Sequence, residues 1–126
     1  MPNRNTYLFL SLGIFLLLFI VHLFATMTGL YWISGWFDSI SHLIGGFGIF
    51  FVLAYVFSFK GRFPSFRSVV AVSLLIGVIW ELFELRYGIT SISSHRYSFD
   101  TSSDLFFDIV GGFLAFLITK KYGRSK

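Results

Sequence analysis

The stretch Asp104-Leu-Phe-Phe-Asp108-Ile-Val-Gly111-Gly112-Phe113 places two carboxylates and a glycine pair in a run otherwise apolar enough for a membrane. The same order occurs earlier, at Asp38-Ser-Ile-Ser-His42-Leu-Ile-Gly45-Gly46-Phe47. Without a gap, both read Asp, a second ligand-type residue one helical turn later, two apolar residues and Gly-Gly-Phe. A third acidic pair, Glu81 and Glu84, lies between them. We expect these three stretches to converge in one site inside a helical bundle.

The composition around these stretches is that of an integral membrane protein. Of the 126 residues, 56% are hydrophobic and only 13% are charged, and the mean hydropathy is +0.78. Soluble proteins carry roughly 25% charged residues. The length allows about four spans of ~20 residues and no separate soluble domain. The chain has no Cys, which excludes disulfides, thiolate metal sites and a Cys nucleophile.

The apolar runs predict an all-α, four-transmembrane-helix bundle in a single membrane domain over residues 1–126. The four helices are predicted at about 7–27, 38–59, 68–87 and 103–120. The first run is longer than the roughly 7–15 apolar residues of a signal peptide, so we expect a retained helix. Ser102 or Ser103 is the predicted N-cap of the last helix. Tyr31, Trp32 and Trp36 mark a membrane–water interface.

The distribution of charge predicts the orientation. Eight of the ten Lys and Arg residues fall on one side of this topology, which the positive-inside rule makes the cytoplasmic side, together with both termini. All acidic residues and all His residues fall on the opposite side, facing away from the cytoplasm. These are Asp38, Glu81, Glu84, Asp100, Asp104, Asp108, His22, His42 and His95. The positive net charge of +4 is therefore explained by topology, and we expect no nucleic-acid partner.

Each of the last three predicted helices carries one polar-to-small stripe. On the second helix, Asp38, His42 and Gly45 project within about 60° of one another, and Asp104, Asp108 and Gly111 do the same on the fourth. Ionisable groups in a span almost always face the bundle interior or a wet cavity. We therefore expect the stripes to meet near the non-cytoplasmic surface, with His22 as a further contributor.

Five carboxylates close together in a low dielectric require protons or a cation. A divalent metal of undetermined identity is one solution, with Asp38, His42, Glu81, Glu84, Asp104 and Asp108 as candidate ligands. Shared protons are a second, with Glu81, Glu84, Asp108 and His42 as catalytic acid–base groups. Pairing with Arg96 is a third. Structural alternatives are helix-dipole stabilisation by Asp38 and Asp104, and helix packing by the glycines.

The order Asp38-x3-His42, Trp80-Glu81-x2-Glu84, Arg96 and Asp104-x3-Asp108-x2-Gly111 resembles the VanZ-like membrane proteins and the related family typified by YjdF. Asp108 stands where the VanZ-like pattern usually has Asn, and Glu84 with Asp100-Thr101 leans toward the YjdF side. The resemblance covers about residues 37–113. It implies a polytopic bacterial membrane protein and supports the topology and the site positions more than any reaction.

Three functions follow from these features. In the first, the cluster is a metal-assisted or acid–base site that acts on a lipid or lipid-linked cell-envelope precursor, and Arg96 and Asp100 contact the substrate. Alternatively it binds or transports protons, a cation or a small ligand without catalysis, or it is a structural scaffold. We expect membrane lipids as partners and consider a homo-oligomer. The repeated motif further suggests two hairpins related by an axis along the membrane normal.

Overall fold

The computed structural model describes residues 3–89 and 96–123, and within these ranges all regular secondary structure is helical. Four helices are long and apolar enough to cross a membrane, which confirms the predicted fold class. The helices are α1 (Arg4–Thr28), α2 (Leu30–Ile33), α3 (Phe37–Ser58), α4 (Phe66–Tyr87) and α5 (Tyr97–Gly123). The one-turn α2 lies in what the sequence presented as a connection.

The helix ends are set by local chemistry. Gly29 (φ 74°) and Gly88 (φ 67°) end α1 and α4 in the left-handed conformation, which glycine adopts without a Cβ clash. Ser65 caps α4, because its side chain accepts a hydrogen bond from the Ser68 amide.

The predicted start of the last span is wrong, because α5 begins at Tyr97 and Ser102 and Ser103 lie inside it. The Ser102 hydroxyl donates to the Ser98 carbonyl 2.6 Å away, so it is satisfied within the helix and caps nothing. Asp104 consequently lies about two turns into α5, too deep for the helix-dipole role considered for it. Asp38 does lie in the first turn of α3.

Helices α3 and α5 run parallel and form the most extensive helix pair. His42 contacts Asp108, and Phe50 contacts Phe116 farther along, so residues 66 positions apart in the chain face each other. This is the spacing that separates the two copies of the repeated motif. The two copies therefore pack against one another at the same level of the bundle.

Glycines allow this close approach. A Cβ at Gly46 would collide with the backbone of Asp108, and a Cβ at Gly111 would collide with the Leu43 carbonyl and lie 2.8 Å from the Phe47 amide nitrogen. Contact between small residues is a common way of joining helices in membranes. These glycines serve helix packing.

Helix α4 packs antiparallel to α5, and α1 packs antiparallel to α3. Within the described part of the chain, the α1 backbone approaches α2 and α3 and not α4 or α5, while the His22 ring on α1 meets the Trp80 ring on α4 at a centroid distance of 6.1 Å. Helix α3 is thus the central element, with α1 on one side of it and the α4–α5 pair on the other. The backbones of α1 and α4 are therefore separated by a gap.

The two ends of the bundle differ in character. At one end the Arg4 guanidinium lies over the Phe59 ring (4.7 Å), and Phe66 contacts Phe113, near the basic turn 60–67. The aromatic core around Phe50, which is fully buried, lies toward this end. The acidic side chains lie toward the other end. The fold thus separates an apolar core from a polar one.

Candidate acid and histidine site

A buried histidine–carboxylate pair lies at the centre of the polar cluster. His42 Nδ1 on α3 is 3.0 Å from Asp108 Oδ2 on α5, and the two side chains are only 4% and 5% exposed. A carboxylate on Nδ1 fixes the orientation of the imidazole ring and favours a proton on that nitrogen. The opposite nitrogen, Nε2, is then left to act as an acceptor or a ligand.

Two further carboxylates face His42 Nε2. Glu81 Oε1 on α4 lies 3.7 Å from it, and Asp38 Oδ1, one turn earlier on α3, lies 3.9 Å from it. Neither distance is a hydrogen bond. Glu81 is held through its other oxygen, because the Thr101 hydroxyl donates to Oε2 at 2.8 Å. Helices α3, α4 and α5 therefore each contribute a carboxylate oxygen within 3.9 Å of a His42 ring nitrogen.

Asp104 lies beside this group and is bound from α3. Its Oδ1 accepts a hydrogen bond of 2.8 Å from the Ser39 hydroxyl, and the residue is 4% exposed. Donor atoms of Asp38, His42 and Asp104 all lie within 4.8 Å of one another, a spacing at which they could hold a metal ion. Three of the predicted ligands are thus brought together in one place.

Glu84 has a different partner. Trp80, one turn earlier on α4, donates its indole N–H to Glu84 Oε1 at 3.0 Å. Glu84 is as buried as Glu81, at 5% exposure for each residue, but the indole bond satisfies one of its carboxylate oxygens within the same helix.

A second polar group joins α1 and α2 to the cluster. His22 Nδ1 lies 2.8 Å from the Tyr31 hydroxyl, which is 3.3 Å from the Ser41 hydroxyl. Burial raises the pKa of the Tyr31 phenol above its ordinary value, so it stays protonated and able to donate. His22 therefore makes a polar contact that links α1 to α2 and, through Tyr31, to Ser41 on α3.

A cavity of about 260 Å³ connects the two polar groups. It lies between α1 and α4, with α3 as its floor. Its apolar part is lined by Phe15, Leu18, Phe19, Gly45, Ile49 and Ile76. Its polar part is lined by His22, Tyr31, Asp38, Ser41, His42, Trp80 and Asp108. The surface of the lining is almost entirely apolar, and the polar side chains reach it at one end.

Gly77 on α4 makes room for the central carboxylate. A Cβ there would collide with Asp108 Oδ2 and would lie 2.8 Å from Leu105 Cδ2. Glycines on two neighbouring helices thus make room for Asp108: Gly46 for its backbone and Gly77 for its side chain. The absence of side chains at these two positions explains why this carboxylate can be buried between three helices.

The predicted site residues separate into those that the fold brings together and those that it does not. Asp38, His42, Glu81, Asp104 and Asp108 form one cluster, and Glu84 lies next to it on α4. Arg96 and Asp100, the predicted substrate contacts, are both exposed near the start of α5. Their substrate role stays a prediction, and His95 lies outside the described residues.

The sequence did not single out Ser39, and it assigned neither Tyr31 nor Thr101 a role in the site. Thr101 had a usable signal: with α5 starting at Tyr97, it lies on the stripe of Asp104 and Asp108 at helical spacing. Tyr31 was attributed to the membrane interface, whereas it is half-buried against His22. Only Trp32 and Trp36 have the exposure expected of interface residues, at 69% and 65%.

Comparison with known proteins gives a family. A family model described as predicted membrane protein (DUF2238) matches residues 3–125. No curated protein and no solved structure gives a significant match. The match supports the membrane class that the resemblance implied, whereas the link to VanZ and YjdF stays a prediction.

Proposed function

Because the chain belongs to the DUF2238 family of predicted membrane proteins, we propose that it is a membrane-embedded protein acting on a lipid or lipid-linked cell-envelope molecule. The single observation that carries the proposal is the apolar cavity between α1 and α4, which reaches the acid and histidine cluster at one end. The cavity places hydrocarbon-lined space next to a buried histidine and two carboxylates. A molecule with an apolar chain and a polar head matches both parts of that lining.

The size of the cavity limits what enters it. A volume of about 260 Å³ is close to the lower bound of roughly 300 Å³ for small-molecule sites. It holds a head group and the first part of one chain, while the rest of the chain remains between α1 and α4 in the bilayer. Entry between helices is available because these two helices make no backbone contact in the described residues.

The chemistry proposed is hydrolysis of a phosphate or amide bond. His42 Nε2, held by Asp108 through Nδ1, accepts a proton from water, and the water oxygen attacks the phosphorus or carbonyl carbon. The His42 imidazolium then returns this proton to the leaving group, and Glu81 faces the same ring nitrogen at 3.7 Å. Asp104 and Glu84 are further buried carboxyl groups beside these residues. The positive-inside rule supports a site on the side away from the cytoplasm, and the membrane proposed is the bacterial cytoplasmic membrane.

The cavity is tested by mass spectrometry of organic extracts from the detergent-purified protein. We expect a co-purifying amphiphile that is lost, at least about threefold, in Gly45→Leu, because Gly45 lines the cavity and has only ordinary contacts around it. Gly13→Leu is the matched control, since Gly13 faces open space on α1. Equal amounts of amphiphile in both variants and the parent would contradict the proposal.

Catalysis is tested separately by comparing envelope lipids and lipid-linked precursors in cells that express the parent protein or His42→Gln. The proposal expects one species to be depleted by the parent and to persist with the variant. Identical profiles, with both proteins present in the membrane, would exclude turnover.

A second candidate is cation or proton binding without bond cleavage. The observation that favours it is the facing pair of His42 Nε2 and Glu81 Oε1, neither of which has a hydrogen-bond partner in the part of the chain that the structure describes. Flux of protons or cations into liposomes that contain the purified protein distinguishes this function from hydrolysis. A purely structural role would instead be indicated if Glu81→Gln combined with Asp108→Asn kept full function in cells.

A further inference from the structure

Two buried polar atoms face each other without making a hydrogen bond. His42 Nε2 and Glu81 Oε1 are 3.7 Å apart, on side chains that are 4% and 7% exposed. Neither atom has a hydrogen-bond partner within residues 3–89 and 96–123. Leaving such an atom without a partner in a buried site is unfavourable, because its contact with water is lost and not replaced. Two of them directed at one point indicate that a third species belongs there.

Each of these two side chains is oriented by a hydrogen bond at its other polar atom. Asp108 accepts from His42 Nδ1 at 3.0 Å, and Thr101 donates to Glu81 Oε2 at 2.8 Å. Each side chain thus uses its other polar atom as an anchor and presents the remaining atom to the shared space. This arrangement of outer partners that orient inner ligands is characteristic of metal sites in proteins.

Further carboxylate oxygens lie near His42. Asp38 Oδ1 is 3.9 Å from His42 Nε2, and donor atoms of Asp38, His42 and Asp104 lie within 4.8 Å of one another. An ion about 2.1 Å from each of two donors fits between atoms that are 3.7–3.9 Å apart, at an angle of roughly 120–140°.

We infer that His42, Glu81, Asp38 and Asp104 form a binding site for one divalent cation, with Asp108 and Thr101 as orienting partners. The ion replaces the missing partner of His42 Nε2 and Glu81 Oε1 and offsets the repulsion among three carboxylates. This inference adds a cofactor to the proposed function: with the ion bound, His42 Nε2 and Glu81 would be its ligands, and the ion would supply the activation of water that His42 supplies without it. It rests on that function only for the use of the ion, because binding can be measured without any substrate.

The donor set selects the class of ion. Imidazole nitrogen suits first-row transition metals, whereas carboxylates also suit Mg²⁺, Ca²⁺ and Mn²⁺. A site with one imidazole and up to three carboxylates therefore favours Mn²⁺ or Zn²⁺ over Mg²⁺ and Ca²⁺.

The test uses the full-length protein in detergent, stripped of metal with a chelator and titrated with Mn²⁺. Loss of the free-ion electron paramagnetic resonance signal measures binding, and we expect about one ion per chain. Electron spin-echo modulation of the bound ion should show coupling to one imidazole nitrogen, which replacement by ¹⁵N-histidine should change. Titration with Zn²⁺, Mg²⁺ and Ca²⁺ gives the order of affinity.

Two α4 variants form a matched pair. Glu81→Gln removes a proposed ligand, whereas Glu84→Gln changes an equally buried carboxylate that is bound to Trp80. We expect Glu81→Gln to weaken Mn²⁺ binding at least about tenfold and Glu84→Gln to change it less than about twofold. Asp108→Asn, which alters an orienting partner, should weaken binding roughly 10–100-fold.

The inference is overturned if the folded parent protein binds less than about a tenth of an equivalent of both Mn²⁺ and Zn²⁺. Equal weakening by Glu81→Gln and Glu84→Gln, or a bound ion without nitrogen coupling, also overturns it. Should Glu81→Gln not fold, the nitrogen coupling of the parent and the affinity of Asp38→Asn decide the matter, because Asp38 is 31% exposed. Stoichiometric metal with no effect of the protein on lipids would refute the proposed function and leave this site standing.

Discussion

Gly77 shows how one residue can define a buried site. The Asp108 carboxylate lies where a larger residue on α4 would place its Cβ. Asp108 is in turn the partner that orients His42. The absence of a side chain at position 77 is therefore a condition for the central pair of the site.

Gly77→Ala should destabilise the protein by about 1–3 kcal/mol, because the added methyl group forces Asp108 and Leu105 to move. Gly13→Ala should be neutral or stabilising, since nothing lies within 4 Å of that position and alanine favours helix. Denaturant unfolding of both variants in detergent micelles measures the difference. Equal stability of the two would show that Asp108 does not need the room at Gly77.

Thr101→Val should cost about 1–3 kcal/mol, because it leaves Glu81 Oε2 buried without its donor. Thr28→Val offers a matched comparison. The Thr28 hydroxyl bonds its own helix at an exposed position, so a change of less than about 0.5 kcal/mol is expected. If Thr101→Val is as mild as Thr28→Val, the Thr101–Glu81 bond does not hold the site together.

At the scale of helices, the sequence determined which segments span the membrane but not where every one begins. Hydropathy identifies the spans because a transmembrane helix needs about 20 apolar residues. It fails at the start of α5, where Ser98, Ser102 and Ser103 look like a loop with a cap. The hydroxyl of Ser102 bonds back to the helix instead, which the sequence alone does not reveal.

Two serines separate a true cap from an apparent one. Ser65→Ala should destabilise the protein by about 1 kcal/mol, because the Ser68 amide loses its acceptor. Ser102→Ala should be neutral or slightly stabilising, since alanine is the better helix former at an exposed helical position. Thermal unfolding in one detergent compares them directly. A larger loss at Ser102 would mean that α5 begins where the sequence first suggested.

The sequence predicts which helix faces meet but not which side chains pair across them. The acidic stripes on three helices predicted convergence, and Asp38, His42, Glu81, Asp104 and Asp108 do converge. Which carboxylate faces His42 Nε2 depends on helix rotation and on local competition. Glu84 binds the indole of Trp80 on its own helix, whereas Glu81 points toward α3. Hydrophobic periodicity assigns a face to each residue and cannot rank neighbours on that face.

At the scale of the whole molecule, the basic and acidic ends make orientation measurable. The chain has no Cys, so a single introduced cysteine is a unique reporter. In intact cells a membrane-impermeant thiol reagent should label Gly35→Cys, beyond α2, and should label Arg62→Cys only after the membrane is opened. The reverse pattern would place the acidic end in the cytoplasm.

The open space between α1 and α4 has a consequence for how any ligand is supplied. A cavity reached between α1 and α4 is filled from the surrounding hydrocarbon, so its occupancy follows the mole fraction of the ligand in the bilayer, not its concentration in water. A blocker added from solution would first have to partition into lipid. Its apparent potency would then fall as more lipid is added at a constant amount of protein.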